Sequence, residues 1–142
     1  MTVKAILDQK GREVITVTPE ISLSDANAKL AEYKIGAVVV VDNANRICGI
    51  LSERDIVRAL AAKGPDAMSA PVSSVMTPNV KVCSEAHSVN QLMEMMTQGR
   101  FRHLPVEVDG KLGGLVSIGD VVRMRIEQVE REAEEIKAYI AS

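Results

Sequence analysis

Gly49-Ile-Leu-Ser-Glu-Arg-Asp-Ile-Val-Arg58 and Gly114-Leu-Val-Ser-Ile-Gly-Asp-Val-Val-Arg123 are one decapeptide written twice, 65 residues apart. Gly, Ser, Asp, Val and Arg are identical at five of the ten positions, and three more exchange one aliphatic residue for another. The similarity extends upstream in the same order. Ile15-Thr-Val17 lies over Val80-Lys-Val82, Ile35-Gly-Ala-Val-Val-Val40 over Phe101-Arg-His-Leu-Pro-Val106, and Val3-Lys-Ala-Ile-Leu7 over Val72-Ser-Ser-Val-Met76. Self-similarity at a fixed period marks a duplicated supersecondary unit.

Each copy carries the same pattern of elements. A short β-branched strand comes first, at 14–17 and at 80–82. An amphipathic helix follows. In the first copy it opens near Ser22 or Ser24 and carries Ala26, Leu30 and Tyr33; in the second it carries Val89, Leu92, Met93 and Met96. Two apolar strands come next, joined by the looser Asp42-Asn-Ala-Asn45 in copy one and by the hairpin dipeptide Asp109-Gly110 in copy two. A second helix starts at Ser52 and at Ser117, and the first of these stops at Gly64-Pro65.

The fold class is therefore α+β: two β-α-β-β-α units, residues 1–66 and 72–126, separated by a linker at 67–71. A unit of about 65 residues has a small core and is marginal alone. The two are expected to pack sheet against sheet with pseudo-symmetry. Residues 127–142 extend the last helix beyond the repeat. Val122, Ile126, Val129, Ala133, Ile136 and Ile140 are spaced as a heptad seam, which lies either on its own domain or against a second copy in a homodimer.

Composition narrows the function. The 142-residue chain is 46% hydrophobic and 25% charged with net charge −2, globular in composition and without the basic field that nucleic-acid binding uses. Tyr33, Phe101 and Tyr139 are the only aromatics, too few for a row of rings that stacks bases. Cys48 and Cys83 sit in apolar stretches and read as reduced core thiols of a cytoplasmic protein. The first residues lack the apolar run of a signal peptide, and Ile35–Val41 is far shorter than a membrane span. His87 and His103 have no Cys, Asp or Glu partners at ligand spacing, so no metal is expected. Met76, Met93, Met95 and Met96 read as core filler.

Catalytic signatures are missing as well. Neither repeated serine lies in Gly-x-Ser-x-Gly, Gly110-Lys-Leu-Gly-Gly114 has the wrong spacing for a phosphate loop, and Gly-x-Gly-x-x-Gly does not occur. With no nucleophile–base pair in view, the chain reads as a binder and not an enzyme.

The chemistry resides in Gly-x-x-Ser-x-x-Asp, which occurs at both strand-to-helix junctions. One reading is structural: Ser and Asp make a capping box. The other is functional. A helix N-terminus offers free N–H groups to a phosphate, Ser adds a hydroxyl, and an acceptor-only carboxylate can hold both hydroxyls of a ribose. The small and aliphatic residues Gly36, Ala37, Val38, Val80 and Val82 could sandwich a flat base. The copies differ here: Glu53-Arg54 follows Ser52, where Ile118-Gly119 follows Ser117. Arg54 can fork onto a phosphate and Gly119 cannot, so two unequal sites are expected.

Taken together, these segments resemble the CBS domain, named for cystathionine β-synthase, in its tandem form, the Bateman module. The markers are Val72-Ser-Ser-Val-Met-Thr77, Ile35-Gly-Ala-Val-Val-Val-Val-Asp42, Arg100-Phe-Arg-His-Leu-Pro-Val106 and the two Ser-x-x-Asp segments. The opening of copy one departs, with Ile6-Leu-Asp-Gln9 in place of Met-Thr and four extra residues after it.

The resemblance implies clefts between the copies for an adenine nucleotide: AMP, ADP, ATP, an NAD-type dinucleotide or an S-adenosyl compound. By position, Asp55 and Asp120 would hold ribose hydroxyls, and Ser52 and Ser117 would contact ribose or phosphate. Thr16, Thr18, Lys81 and Cys83 would edge the base. Ile35, Gly36, Ala37, Phe101 and Arg102 would surround base or phosphate, with Pro105 beside them. Arg100, Arg102 and His103 would bring charge to the phosphates, although both arginines and His103 also read as structural. The function implied is a free-standing sensor that signals to a separate effector protein. The alternative is an oligomerisation adaptor without a ligand.

Overall fold

The computed structural model describes residues 1–142. Helix α1 (Val3–Lys10) opens on the Thr2 hydroxyl, which accepts from the Ala5 amide. Strand β1 (Thr16–Val17), helix α2 (Leu23–Tyr33), strands β2 (Ala37–Val41) and β3 (Ile47–Ser52), and helix α3 (Glu53–Lys63) follow. Gly64, at φ 70°, ends α3. Two 3-10 turns, Gly64–Ser69 and Val72–Ser74, lead to strand β4 (Thr77–Pro78). Helix α4 (Val89–Gly99), strands β5 (His103–Val108) and β6 (Lys111–Ser117), and helix α5 (Ile118–Ala141) complete the chain. No helix is long and apolar enough to cross a membrane.

The first sheet has the order β1-β2-β3-β4, with β1 parallel to β2 and the other pairs antiparallel. Strand β2 reads Ala-Val-Val-Val-Val and is buried at every residue, as a continuous apolar run covered on both faces must be. The second sheet is the β5–β6 hairpin. Its turn places Asp109 at φ 54° and Gly110 at φ 76°, the left-handed pair that suits the twist of a two-residue hairpin. Across the molecule, Leu112 N donates to Asn45 O (3.0 Å) and Asn45 Nδ2 to Leu112 O (3.2 Å), tying the two hairpins together.

One expected strand does not form. Residues 80–82 are irregular, and their pairing role falls on Cys83 as a single parallel bridge to Val106. Cys83 N donates to Pro105 O (2.9 Å) and Glu107 N to Cys83 O (2.8 Å). Since Val17 pairs with Val40 and Cys83 with Val106, the copies correspond here at an offset of 66, not 65. Val17 and Cys83 are buried alike, whereas Lys81 is exposed. A one-residue slip in a period-two strand exchanges its faces, which is why matching β-branched residues misplaced it.

The leading segments of the two copies are exchanged. Val3 N donates to His87 O (2.9 Å), Lys4 N to Glu85 O (3.1 Å) and Val89 N to Met1 O (3.0 Å). The equivalent bonds elsewhere are Val72 N to Ile21 O (2.8 Å), Ser73 N to Pro19 O (3.0 Å) and Leu23 N to Ala70 O (2.8 Å). The cores follow the same rule. Val3, Ile6 and Leu7 join Cys83, Leu92, Met96, Leu104, Val116, Val121 and Met124, while Val72 joins Val17, Leu23, Leu30, Val38, Leu51 and Ile56. Within 67–71, Ala67 is buried, and Met68 packs on the first core.

The exchange also explains why the sheets differ. Residues 72–78 make one turn and then strand β4 beside β3, whereas α1 stays helical through Lys10 and adds no strand to β6. At the far end, α5 buries Asp120, Val121 and Met124, and its heptad seam faces away from the domain. The seam therefore does not lie on its own repeat.

Candidate functional site

Strand β3 ends at Ser52, which caps α3. Ser52 Oγ accepts from Asp55 N (3.3 Å), and Asp55 Oδ2 accepts from Ser52 N (2.9 Å) and Ser52 Oγ (3.1 Å). The other oxygen, Oδ1, accepts from the Thr77 hydroxyl at 3.2 Å. Glu53 N donates to Gly36 O (3.0 Å), anchoring the helix start against the approach to β2.

Asp55 faces a cleft of about 670 Å³ between the copies. The structure brings Gly36, Ser52, Arg54, Asp55 and Lys81 to this cleft from the sequence-derived set. It also brings the run Arg100, Phe101, Arg102 and His103. The Phe101 ring lies against Gly99, where an added Cβ would fall within 2.0 Å of it, so Gly99 makes the room for this wall. Arg54, Arg58, Lys81, Arg100 and Arg102 give the cleft five cations against the carboxylates of Glu53 and Asp55. Such a lining favours an anionic ligand.

Arg58, Thr77 and Asn79 line the cleft and were not in the sequence-derived set. Arg58 had a signal: it is the arginine repeated in both decapeptides. Thr77 closed the Val72–Thr77 marker. Neither has a local pattern that assigns it to a ligand.

The remaining candidates lie outside this cleft. Thr16 is in β1, and its carbonyl accepts from Lys29 Nζ (2.9 Å). Thr18 is exposed, Ile35 half-buried and Ala37 buried. Pro105 is buried beside Cys83, whose thiol burial pushes up to about 12, an inert core group. Gly119 lies in a shallow groove on α5 with Val122 and Arg123.

Ser117 and Asp120 repeat the capping box with a different outcome. Ser117 Oγ accepts from Asp120 N (3.2 Å), and Asp120 Oδ2 accepts from Ser117 N (2.9 Å). That same oxygen takes Lys10 Nζ at 2.6 Å, and Oδ1 takes Arg123 Nη2 at 2.6 Å. Lys10 also donates to Leu115 O (3.0 Å). Burial opposes the charge of Asp120, but the Lys10 and Ser117 hydrogen bonds outweigh it and hold the carboxyl below its ordinary value. Thus Asp55 meets a neutral hydroxyl, and Asp120 is clamped by two cations.

His103 was expected to bring charge. Burial, aided by Lys10 and Arg102, instead holds its imidazole below the ordinary value of 6.5, so at neutral pH it offers an uncharged hydrogen-bonding group. His87 is structural, its Nδ1 accepting from Ser84 N at 2.9 Å. No group of three or more His, Cys, Asp or Glu side chains could hold a metal ion.

Two similar α/β halves facing across a cationic cleft, each with a capped Ser-x-x-Asp helix after its last hairpin strand, define a tandem CBS arrangement. The CBS domain family model matches residues 3–62 and 72–127, and the chain belongs to that family. It is 50% identical to the CBS-domain containing protein ATU1752 from Agrobacterium tumefaciens, with a TM-score of 0.83 over 87% of this chain and 92% of that one. The CBS domain pair of protein MJ0100, in complex with 5′-methylthioadenosine and S-adenosyl-L-methionine, is 26% identical at TM-score 0.80, covering 90% and 98%. CBSX2 in complex with AMP is 27% identical at TM-score 0.75, covering 89% and 96%.

Proposed function

We propose that the chain is a non-catalytic regulatory module that binds an adenine nucleotide beside Asp55 and reports energy or redox state to a separate effector protein. The ligands that fit are AMP, ADP, ATP and NAD(H). One observation carries the reading: the Asp55 cleft joins a carboxylate with a displaceable hydroxyl partner to five cations and an aromatic wall. Asp55 holds the ribose, the arginines and Lys81 hold phosphate, and Phe101 offers the base an apolar face. The cationic lining favours phosphate over the sulfonium of an S-adenosyl ligand.

Signalling follows from the cleft's position. Its walls come from both copies, so a bound nucleotide stabilises one relative arrangement of the copies, which an effector reads as a population shift. Calorimetric titration of the chain with AMP, ATP and NADH tests this. Saturable binding that Asp55→Asn weakens supports it; no binding of any of the three overturns it.

The capping boxes at both carboxylates and the uncovered α5 seam favour a second reading, an oligomerisation adaptor. Acid-released absorbance near 260 nm from the purified protein separates the two, because a ligand-free adaptor releases none.

A further inference from the structure

We propose that the Asp55 cleft takes up a proton at His103 when it takes up its nucleotide, so that occupancy answers to pH as well as to nucleotide concentration. The inference rests on the nucleotide reading of that cleft and adds a mode of regulation to it. The proton comes from solvent and adds to the free nitrogen of the imidazole; no other bond changes.

The backbone holds His103 at the boundary between the cleft and the Lys10–Asp120 pair. His103 pairs with Ser117, the residue that caps α5, and Ile118 N donates to the Arg102 carbonyl at 2.8 Å. The same residue lines the cleft. Its ring is half-buried, whereas Arg54, Arg58, Lys81, Arg100 and Arg102 are all exposed. An anion in the cleft is therefore screened less from His103 than from the cations around it.

The groups facing the ring fix the direction of the effect. Burial first, then Lys10 of α1 and Arg102 beside it, disfavour an imidazolium, while Asp120 of α5 favours one. Asp120 is already paired with Lys10 and Arg123, so its pull on the ring is shared. Across the cleft, Arg54 and Arg58 of α3, Lys81 and Arg100 add to the positive field, and Glu53 and Asp55 of α3 oppose it. A nucleotide phosphate, close to dianionic at neutral pH, reverses this balance. It pairs with the exposed cations and draws a proton to the one cleft base that is uncharged. Binding thus raises the imidazole midpoint. Affinity is gained as pH falls, and lost as pH rises through the value His103 has in the complex.

Histidine NMR and AMP calorimetry on the full chain test the proposal. The chain has two histidines, so each imidazole C–H position gives two signals, and His103→Gln shows which of them belongs to His103. If that variant does not fold, His87→Gln makes the same assignment. Saturating AMP should move the His103 midpoint upward and leave that of His87 in place. The AMP affinity of the wild type relative to His103→Gln should rise about threefold from about pH 8 to about pH 6, the gain that two unit charges about 6 Å apart make even at the dielectric of water. Taking the ratio offsets the titration of the AMP phosphate itself. A His103 midpoint that bound AMP leaves unmoved or lowers, or a ratio that stays flat, overturns the proposal and leaves nucleotide binding standing. Absence of saturable AMP binding overturns the nucleotide reading and this proposal together.

Discussion

Lys10 Nζ lies 2.6 Å from Asp120 Oδ2, so the last turn of the first helix reaches the first turn of the last helix. In the other copy the equivalent carboxylate, Asp55, meets, beyond its own Ser52 cap, only the Thr77 hydroxyl from the exchanged segment. A ribose can displace a neutral hydroxyl far more readily than a charge-assisted contact to a side chain that is 7% exposed. Titration with AMP should therefore give one nucleotide per chain. Lys10→Met should allow a second, weaker site to be counted, and two sites in the wild type would remove Lys10 from this role.

Asp55→Asn and Asp120→Asn should separate binding from stability. At Asp55 the loss of an ionised acceptor for ribose hydroxyls should weaken AMP binding about 10- to 100-fold, from about 1.5–3 kcal/mol for hydrogen bonds to a charged group. The melting temperature should move little, because the amide oxygen still accepts at the cap. At Asp120 the same change leaves Lys10 and Arg123 facing a neutral group. It should cost about 2–3 kcal/mol of stability with AMP affinity unchanged. Calorimetry and urea unfolding on the two variants check both halves.

Acid should erase the Asp120 contribution. Its folded-state value is depressed below the ordinary 3.8, so its stabilisation is complete above that value and is lost as pH falls through the lower, folded one. The difference in urea midpoint between wild type and Asp120→Asn should be constant from pH 7 to about pH 5, and narrow below about pH 4. A difference that grew on acidification would contradict the ion pairing.

The two decapeptide glycines should respond unequally to alanine. A Cβ on Gly49 would lie 2.5 Å from the Thr77 carbonyl and 3.0 Å from Met76 Sδ, so strand β4 would have to move. On Gly114 it would meet the Leu7 methyl groups at 2.8 and 2.9 Å, the far end of a flexible side chain. Gly49→Ala should cost about 1–3 kcal/mol and also weaken nucleotide binding, by displacing the cleft wall that Thr77, Asn79 and Val80 form. Gly114→Ala should cost less and leave binding intact. Thermal melts and AMP titration compare them directly.

The sequence was informative where the deciding interactions are local. The capping boxes at Ser52 and Ser117, the Asp109-Gly110 turn and the halt at Gly64 each depend on a few neighbouring residues, and all are present. The partner of Asp120 was hidden because Lys10 is 110 positions away, and nothing near either residue announces the other. A trace was visible: Ile6-Leu-Asp-Gln9 stands where Met76-Thr77 stands in copy two, so no threonine is available there. The missing strand at 80–82 failed for another reason. Residue type marks a strand, but only pairing fixes which residue faces the core, and Cys83 resembles Val17 in burial more than in sequence.

The exchanged leading segments impose an order on how the chain is made. The first core needs nothing beyond Val72 and the adjoining Met76, so it can close while the second repeat is still being synthesised. The second core must recruit Val3, Ile6 and Leu7, which are synthesised before the whole of the first repeat's core, and bring them to Val121 and Met124, which are synthesised after it. Removing residues 1–10 would therefore damage the distant half of the molecule and spare the near one.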